Sequence, residues 1–111
     1  MRVNEIFYSI QGEGDIIGRP SIFLRLANCN LHCLWCDTKY AWNEGKNISI
    51  KEIFNQILKL RQETGCNLLT ITGGEPLLQQ KSLCSLVDKL RIAKFDIVIE
   101  TNGTIHPNEL L

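Results

Sequence analysis

Leu68-Leu69-Thr70-Ile71-Thr72-Gly73-Gly74-Glu75-Pro76 is the stretch that decides how this chain folds. Five apolar or β-branched residues in a row read as a strand, and the following glycine pair and proline end it abruptly. Upstream, Ser49 and Glu52 form a capping box ahead of an apolar stripe at Ile53, Phe54, Ile57 and Leu58, and Gly65 is placed to stop that helix. Downstream, Leu83, Leu86, Val87 and Leu90 mark one face of a second helix. Ser21-Ile22-Phe23-Leu24-Arg25-Leu26 and Phe95-Asp96-Ile97-Val98-Ile99-Glu100 supply strands on either side, the latter broken by Asn102-Gly103. Glu5-Ile6-Phe7-Tyr8 reads as a short extended piece that ends in the turn-rich Gln11-Gly12-Glu13-Gly14. Strands alternating with helices predict an α/β fold with right-handed crossovers and a parallel sheet covered on both faces. Each core strand runs into a polar, glycine-rich or cysteine-rich stretch, so a site is expected at the carboxyl ends of the strands.

With 111 residues, no internal repeat and no linker, the chain is expected to form a single domain over residues 1–111. Twelve basic and twelve acidic side chains cancel, which leaves no electrostatic footprint for nucleic acid or an anionic membrane. No apolar run reaches the length of a membrane span, and Met1-Arg2-Val3-Asn4-Glu5 does not begin a signal peptide, so a cytoplasmic location is expected. The five cysteines are an odd number without a secretory signal, which argues against a disulfide framework.

Three of those cysteines crowd into Cys29-x3-Cys33-x2-Cys36, directly after the first core strand. Thiolates this close can surround a soft metal centre. A [4Fe–4S] cluster held by three of them keeps one iron open to an outside ligand. The competing arrangement is structural zinc with His32 as fourth ligand. His32 immediately precedes Cys33, however, and adjacent side chains seldom both turn inward on one ion. Cys66 and Cys84 stand alone and read as small buried apolar residues. His106 lies in a polar tail and reads as solvated.

The cysteine spacing in a loop after a strand resembles the cluster motif of the radical S-adenosylmethionine superfamily. Gly73-Gly74-Glu75-Pro76 is similar to that superfamily's methionine-contacting "GGEP" element. Phe7-Tyr8-Ser9-Ile10-Gln11-Gly12-Glu13-Gly14, Arg25 and Cys36-Asp37-Thr38 narrow the resemblance to the 7-carboxy-7-deazaguanine synthase family. The resemblance implies the N-terminal part of a partial (β/α) barrel with parallel strands. It implies a lyase of the queuosine pathway that converts 6-carboxy-5,6,7,8-tetrahydropterin to 7-carboxy-7-deazaguanine and releases ammonia.

The implied cofactors are a [4Fe–4S] cluster on Cys29, Cys33 and Cys36, S-adenosylmethionine, and Mg²⁺ on Thr38. Trp35, Cys36, Asp37 and Gly74 would meet S-adenosylmethionine, and Ile10, Gln11, Gly12, Arg25 and Thr72 would line the pterin pocket. Glu100 and Thr101, at a strand's carboxyl end, are expected near it. The implied partners are a flavodoxin or ferredoxin as electron donor and a second copy of the chain in a homodimer. Taken singly, Gln11 to Gly14 could be a surface turn, Arg25 a strand-edge charge and Thr38 a local cap. A glycyl-radical activating enzyme is the rival within the superfamily, and a zinc or electron-transfer module the rival outside it. Members of the family are about twice this long, and a full barrel takes roughly 200 residues or more. The chain is therefore expected to be truncated on its C-terminal side and a poor enzyme alone.

Three ligands leave no redundancy, so Cys29→Ala, Cys33→Ala and Cys36→Ala are each expected to abolish the cluster. Cys66→Ala and Cys84→Ala should keep the full iron content. Anaerobic iron and sulfide counts with an absorption spectrum check both outcomes.

Overall fold

Ser49 starts the first helix as its sequence demands: its hydroxyl accepts from the Glu52 backbone N–H at 3.2 Å. The computed structural model describes residues 1–12, 18–27 and 45–101. This helix, α1, runs Ile50–Thr64 and stops at Gly65, whose φ of 72° is left-handed and whose N–H bonds back to the Arg61 carbonyl. The second helix, α2, runs Gln80–Ile92 after a 3₁₀ turn over Pro76–Gln79. Arg61 of α1 donates to the carbonyl of Ala93 at 2.6 Å, which satisfies an acceptor at the end of α2, and stacks over the Phe95 ring.

Five strands form one sheet: β1 Arg2–Ile10, β2 Pro20–Leu26, β3 Lys46–Asn47, β4 Leu68–Gly73 and β5 Asp96–Ile99. Their spatial order is β3-β1-β2-β4-β5. β2, β4 and β5 are mutually parallel, with Ile22 opposite Leu69 and Leu69 opposite Ile97. The α/β architecture with a parallel core is thus as expected. The first segment differs. It is a nine-residue strand rather than a short extended piece, and it pairs antiparallel with β2. A turn-rich connection between β1 and β2 is short enough to return the chain alongside itself, where a parallel neighbour would need a crossover. β1 also carries a bulge between Val3 and Glu5: Val3 pairs with Leu26, yet Glu5 pairs with Arg25.

The helices pack on one face. Ile22, Leu24, Leu26, Leu69 and Ile71 meet Ile53 and Ile57 of α1 and Leu83, Leu86, Val87 and Leu90 of α2 in a single apolar cluster. Among the described residues, no helix lies on the opposite face. That face presents Phe7, Ser21, Phe23, Arg25, Thr70 and Thr72, a mixture that alternation along the strands hides in apparently continuous apolar runs. Cys66 and Cys84 are half-buried rather than fully buried. The Cys66 thiol points its hydrogen at the carbonyls of Pro20 and Leu68, at 3.5 and 3.6 Å. Among the described residues no helix is long and apolar enough to cross a membrane.

Two glycines test the backbone. A Cβ on Gly65 would meet nothing within 4 Å, so Gly65→Ala should cost only the left-handed penalty, about 1 kcal/mol. Gly73 has φ 119°, and a Cβ there would lie 2.1 Å from the Leu26 carbonyl oxygen. Gly73→Ala should therefore lower the urea midpoint further than Gly65→Ala, as followed by circular dichroism.

Candidate functional site

The face opposite α1 and α2 opens into a cleft of about 290 Å³ lined by Phe7, Ser9, Ile10, Gln11, Gly12, Phe23, Arg25, Thr72 and Glu100. Ile10, Gln11, Gly12, Arg25 and Thr72 thus come together in one place from three segments. Glu100 joins them at the end of β5, held by its N–H to the Ile71 carbonyl at 2.9 Å. Thr101, expected beside it, instead donates its hydroxyl to Glu75.

Arg25 lies in the middle of the sheet, between β1 and β4, which disposes of the reading as a strand-edge charge. Its guanidinium sits 5.0 Å from the centroid of the Phe7 ring, and Phe7 stacks on Phe23 with centroids 5.1 Å apart and planes 9° from parallel. Glu5 approaches the same guanidinium at 3.5 Å, from a half-exposed position where such a pair contributes little stability. The aromatic face and the carboxylate together limit where the guanidinium fork can point. An arginine so held is suited to gripping a carboxylate on a ligand.

Gln11 is not part of a surface turn. It is only 3% exposed, and its amide turns into the sheet, where Nε2 donates to Thr70 Oγ1 at 3.2 Å. Thr70 Oγ1 lies 2.9 Å from Ser21 Oγ, and the Ser21 hydroxyl is also 3.2 Å from the Leu68 carbonyl. Gln11 Oε1 accepts the N–H of Gly12 at 3.0 Å, while the Gln11 N–H and carbonyl close the connection onto Arg19 and Gly18. A chain of small polar side chains thereby anchors the rim of the cleft to the floor of the sheet. Sequence reasoning did not find Ser21 and Thr70. Their alternate positions on opposite strands were the available signal.

Past Thr72, Gly73 and Gly74 press against the end of β2. Leu26 stands opposite Gly73, and the Gly74 N–H donates to the Leu26 carbonyl at 3.0 Å. The glycine turn therefore sits directly beside the point where the chain leaves β2 for the cysteine-bearing segment. Glu75, which follows, is completely buried and receives the Thr101 hydroxyl, so it ties the end of β4 to the residues after β5. In the sequence that carboxylate is no more than part of a turn motif. Its burial could not be read from the sequence. Cys29, His32, Cys33, Trp35, Cys36, Asp37, Thr38 and His106 lie outside the described residues.

A sheet with three parallel core strands, a three-cysteine segment following the carboxyl end of β2 and a glycine turn packed beside that exit define a class. Residues 25–111 match the Radical SAM superfamily, and the chain belongs to that superfamily. Within it, the chain is 46% identical over 107 residues to 7-carboxy-7-deazaguanine synthase of Hyperthermus butylicus, covering 95% of this chain and 44% of that protein. It is 43% identical over 103 residues to the protein of the same name from Koribacter versatilis, with 93% and 44% covered. The crystal structure of QueE from Escherichia coli superposes with a TM-score of 0.73 at 34% identity, over 93% of this chain and 52% of that one. The chain spans about half the length of the curated relatives it matches.

Gln11→Leu should expose the role of the buried amide. It removes one of the two partners of the Thr70 hydroxyl, leaving Ser21, and the acceptor of the Gly12 N–H, while keeping most of the volume. A loss of about 1 kcal/mol is expected in urea unfolding, the net contribution of a lost hydrogen bond whose remaining partners stay satisfied. The smaller loss expected of Thr70→Ser, which keeps a hydroxyl, serves as the internal comparison.

Proposed function

We propose that this chain is the N-terminal part of a 7-carboxy-7-deazaguanine synthase, a radical S-adenosylmethionine lyase acting on 6-carboxy-5,6,7,8-tetrahydropterin in 7-deazapurine biosynthesis. The observation that carries this reading is the single cleft shared by Ile10, Gln11, Gly12, Arg25 and Thr72. Those five positions were singled out from the family resemblance alone, and chance would not gather them at one end of one sheet.

The cleft's chemistry matches the substrate's. Arg25 takes the ring's carboxylate as a charge-assisted fork. Phe7 and Phe23 give the cleft an apolar wall beside that guanidinium, suited to a planar ring. Thr72 contributes a hydroxyl, and Glu100 is the carboxylate on the lining that can accept from the ring's N–H groups.

The donor chemistry also fits the implied cofactors. Cys29, Cys33 and Cys36 are three soft thiolates of the kind an iron–sulfur cluster takes, and Thr38 offers the hard oxygen that Mg²⁺ prefers. Gly73 has no room for a side chain and leaves bare backbone at the turn, where Gly74 would meet the methionyl group together with Trp35, Cys36 and Asp37. When bound, the cluster and S-adenosylmethionine supply hydrogen-abstracting radical chemistry. The protein's own residues orient the pterin and keep water from it. In this reading a flavodoxin or ferredoxin reduces the cluster, and the enzyme is a cytoplasmic homodimer.

The test uses the protein expressed from its full reading frame and reconstituted with iron and sulfide without oxygen. Incubation with 6-carboxy-5,6,7,8-tetrahydropterin should yield 7-carboxy-7-deazaguanine by mass spectrometry. A protein-centred glycyl radical in place of that product would show an activating enzyme, and zinc without iron would remove the reading altogether. In the same protein, Arg25→Ala should raise KM for the pterin by about 10-fold or more, as expected for a lost charge-assisted contact. Thr38→Ala should weaken the Mg²⁺ dependence of turnover and leave the cluster spectrum unchanged.

A further inference from the structure

Gln79, the last residue of the 3₁₀ turn, carries its amide to a point where distant stretches of chain meet. Its Oε1 accepts the Arg2 N–H at 2.9 Å, and its Nε2 donates to the Arg2 carbonyl at 3.1 Å and to the Ala27 carbonyl at 3.3 Å. The side chain thus pairs with both backbone groups of Arg2 as the backbone of a neighbouring strand would. The Arg2 carbonyl also accepts the N–H of Ala27 at 3.2 Å. Ala27 is the last described residue before the cysteine-bearing segment. Gly45, where the described chain resumes, stands against the same point: a Cβ there would lie 2.6 Å from Ala27 Cβ and 3.2 Å from the Val3 carbonyl oxygen. Both stems of residues 28–44 are therefore gathered where Gln79 bonds.

The other end of this connection is the glycine turn. Gly74 is bonded to Leu26, one residue before Ala27, and the Leu78 N–H returns to the Glu75 carbonyl at 3.1 Å. The short run Gly73 to Gln79 thus clasps the end of β2 twice, by a backbone bond at Leu26 and by a side-chain bond at Ala27.

We propose that Gln79 is a positioning residue: its amide fixes the stem of the cysteine-bearing segment in register with the Gly73-Gly74-Glu75 turn. This rests on the reading that the segment carries a cluster and the turn meets S-adenosylmethionine. Two groups on separate segments must then be held at a set distance, and one planar amide with an acceptor and a donor serves both. Glutamate at this position would offer acceptors alone and set a carboxylate against two carbonyl oxygens. Leucine would remove all three bonds.

Gln79→Glu and Gln79→Leu, made in the protein from its full reading frame, test this by two readouts that do not depend on turnover. One is the electron paramagnetic resonance spectrum of the reduced cluster with and without S-adenosylmethionine. The other is the affinity for S-adenosylmethionine by equilibrium dialysis. Both variants should keep the iron and sulfide content, lose or broaden the cofactor-induced spectral shift, and bind S-adenosylmethionine about 10-fold more weakly, as is typical when a supporting hydrogen bond around a metal site is removed. Val87→Ala, a core variant on α2, should lower the melting temperature and leave the shift and affinity intact. If the unmodified protein shows no shift, the cluster-and-cofactor reading itself fails. If the unmodified protein shifts and both Gln79 variants match it, the positioning role is overturned while that reading stands. Iron lost from both variants, or a shift equally lost in Val87→Ala, also overturns it, because Gln79 would then serve assembly or general stability.

Discussion

Where Leu26 meets Gly73, two parallel strands end against each other with no space for a side chain between them. That contact sets the geometry of everything at the carboxyl edge of the sheet. The register above it runs without interruption from Ile22 opposite Leu69 to Leu26 opposite Gly73, so Arg25 and Thr72 are brought side by side as a matter of strand pairing. Beyond it, the backbone bond from Gly74 to Leu26 and the side-chain bond from Gln79 to Ala27 keep the glycine turn on the exit of β2. A wider separation of β2 and β4 would displace both the cleft lining and the stem of the cysteine-bearing segment.

The two faces of the sheet do different work. The face toward α1 and α2 is filled with Ile, Leu and Val that are almost wholly withdrawn from water, and burial of this kind is the main source of stability in a domain of this size. The other face gives up part of that gain. Ser21, Thr70 and Gln11 are buried polar residues, tolerable because they hydrogen-bond to one another and to backbone carbonyls. In return the face has a fixed floor beneath a cleft that carries Arg25 on one side and Glu100 on another.

Much of this was legible in the residues. Ser49, Glu52 and Gly65 act locally, through backbone groups within a few positions, and local rules suffice to read α1 from end to end. The parallel order of β2, β4 and β5 follows from intervening helices that leave few alternatives. The members of the cleft came from a resemblance carried by ordered motifs, and the geometry brings together those that fall among the described residues. What was not legible depends on partners remote in sequence. Gln79 bonds to Arg2, Glu75 receives Thr101, and Gln11 reaches Thr70. Nothing in the neighbourhood of any of these residues announces its partner. The antiparallel course of β1 was missed for a related reason, since a short apolar piece carries no mark of its neighbour's direction.

The bulge in β1 has its own consequence for how this strand can vary. Before it, the odd-numbered Val3 faces the helices. After it, the odd-numbered Glu5, Phe7 and Ser9 share the face of Arg25, Phe23 and Ser21. One additional residue at Asn4 has changed the parity of the strand partway along its length. Without Asn4 the ladder would run regularly from Val3 opposite Leu26 to Glu5 opposite Arg25, so the bulge takes up the extra residue and every side chain beyond it keeps its face. A residue gained between Glu5 and Ile6 has no such outlet: Phe7 and Ser9 would turn toward α1 and α2, and Ile6 and Tyr8 would replace them over the cleft. In this strand, length is a stricter inheritance than identity.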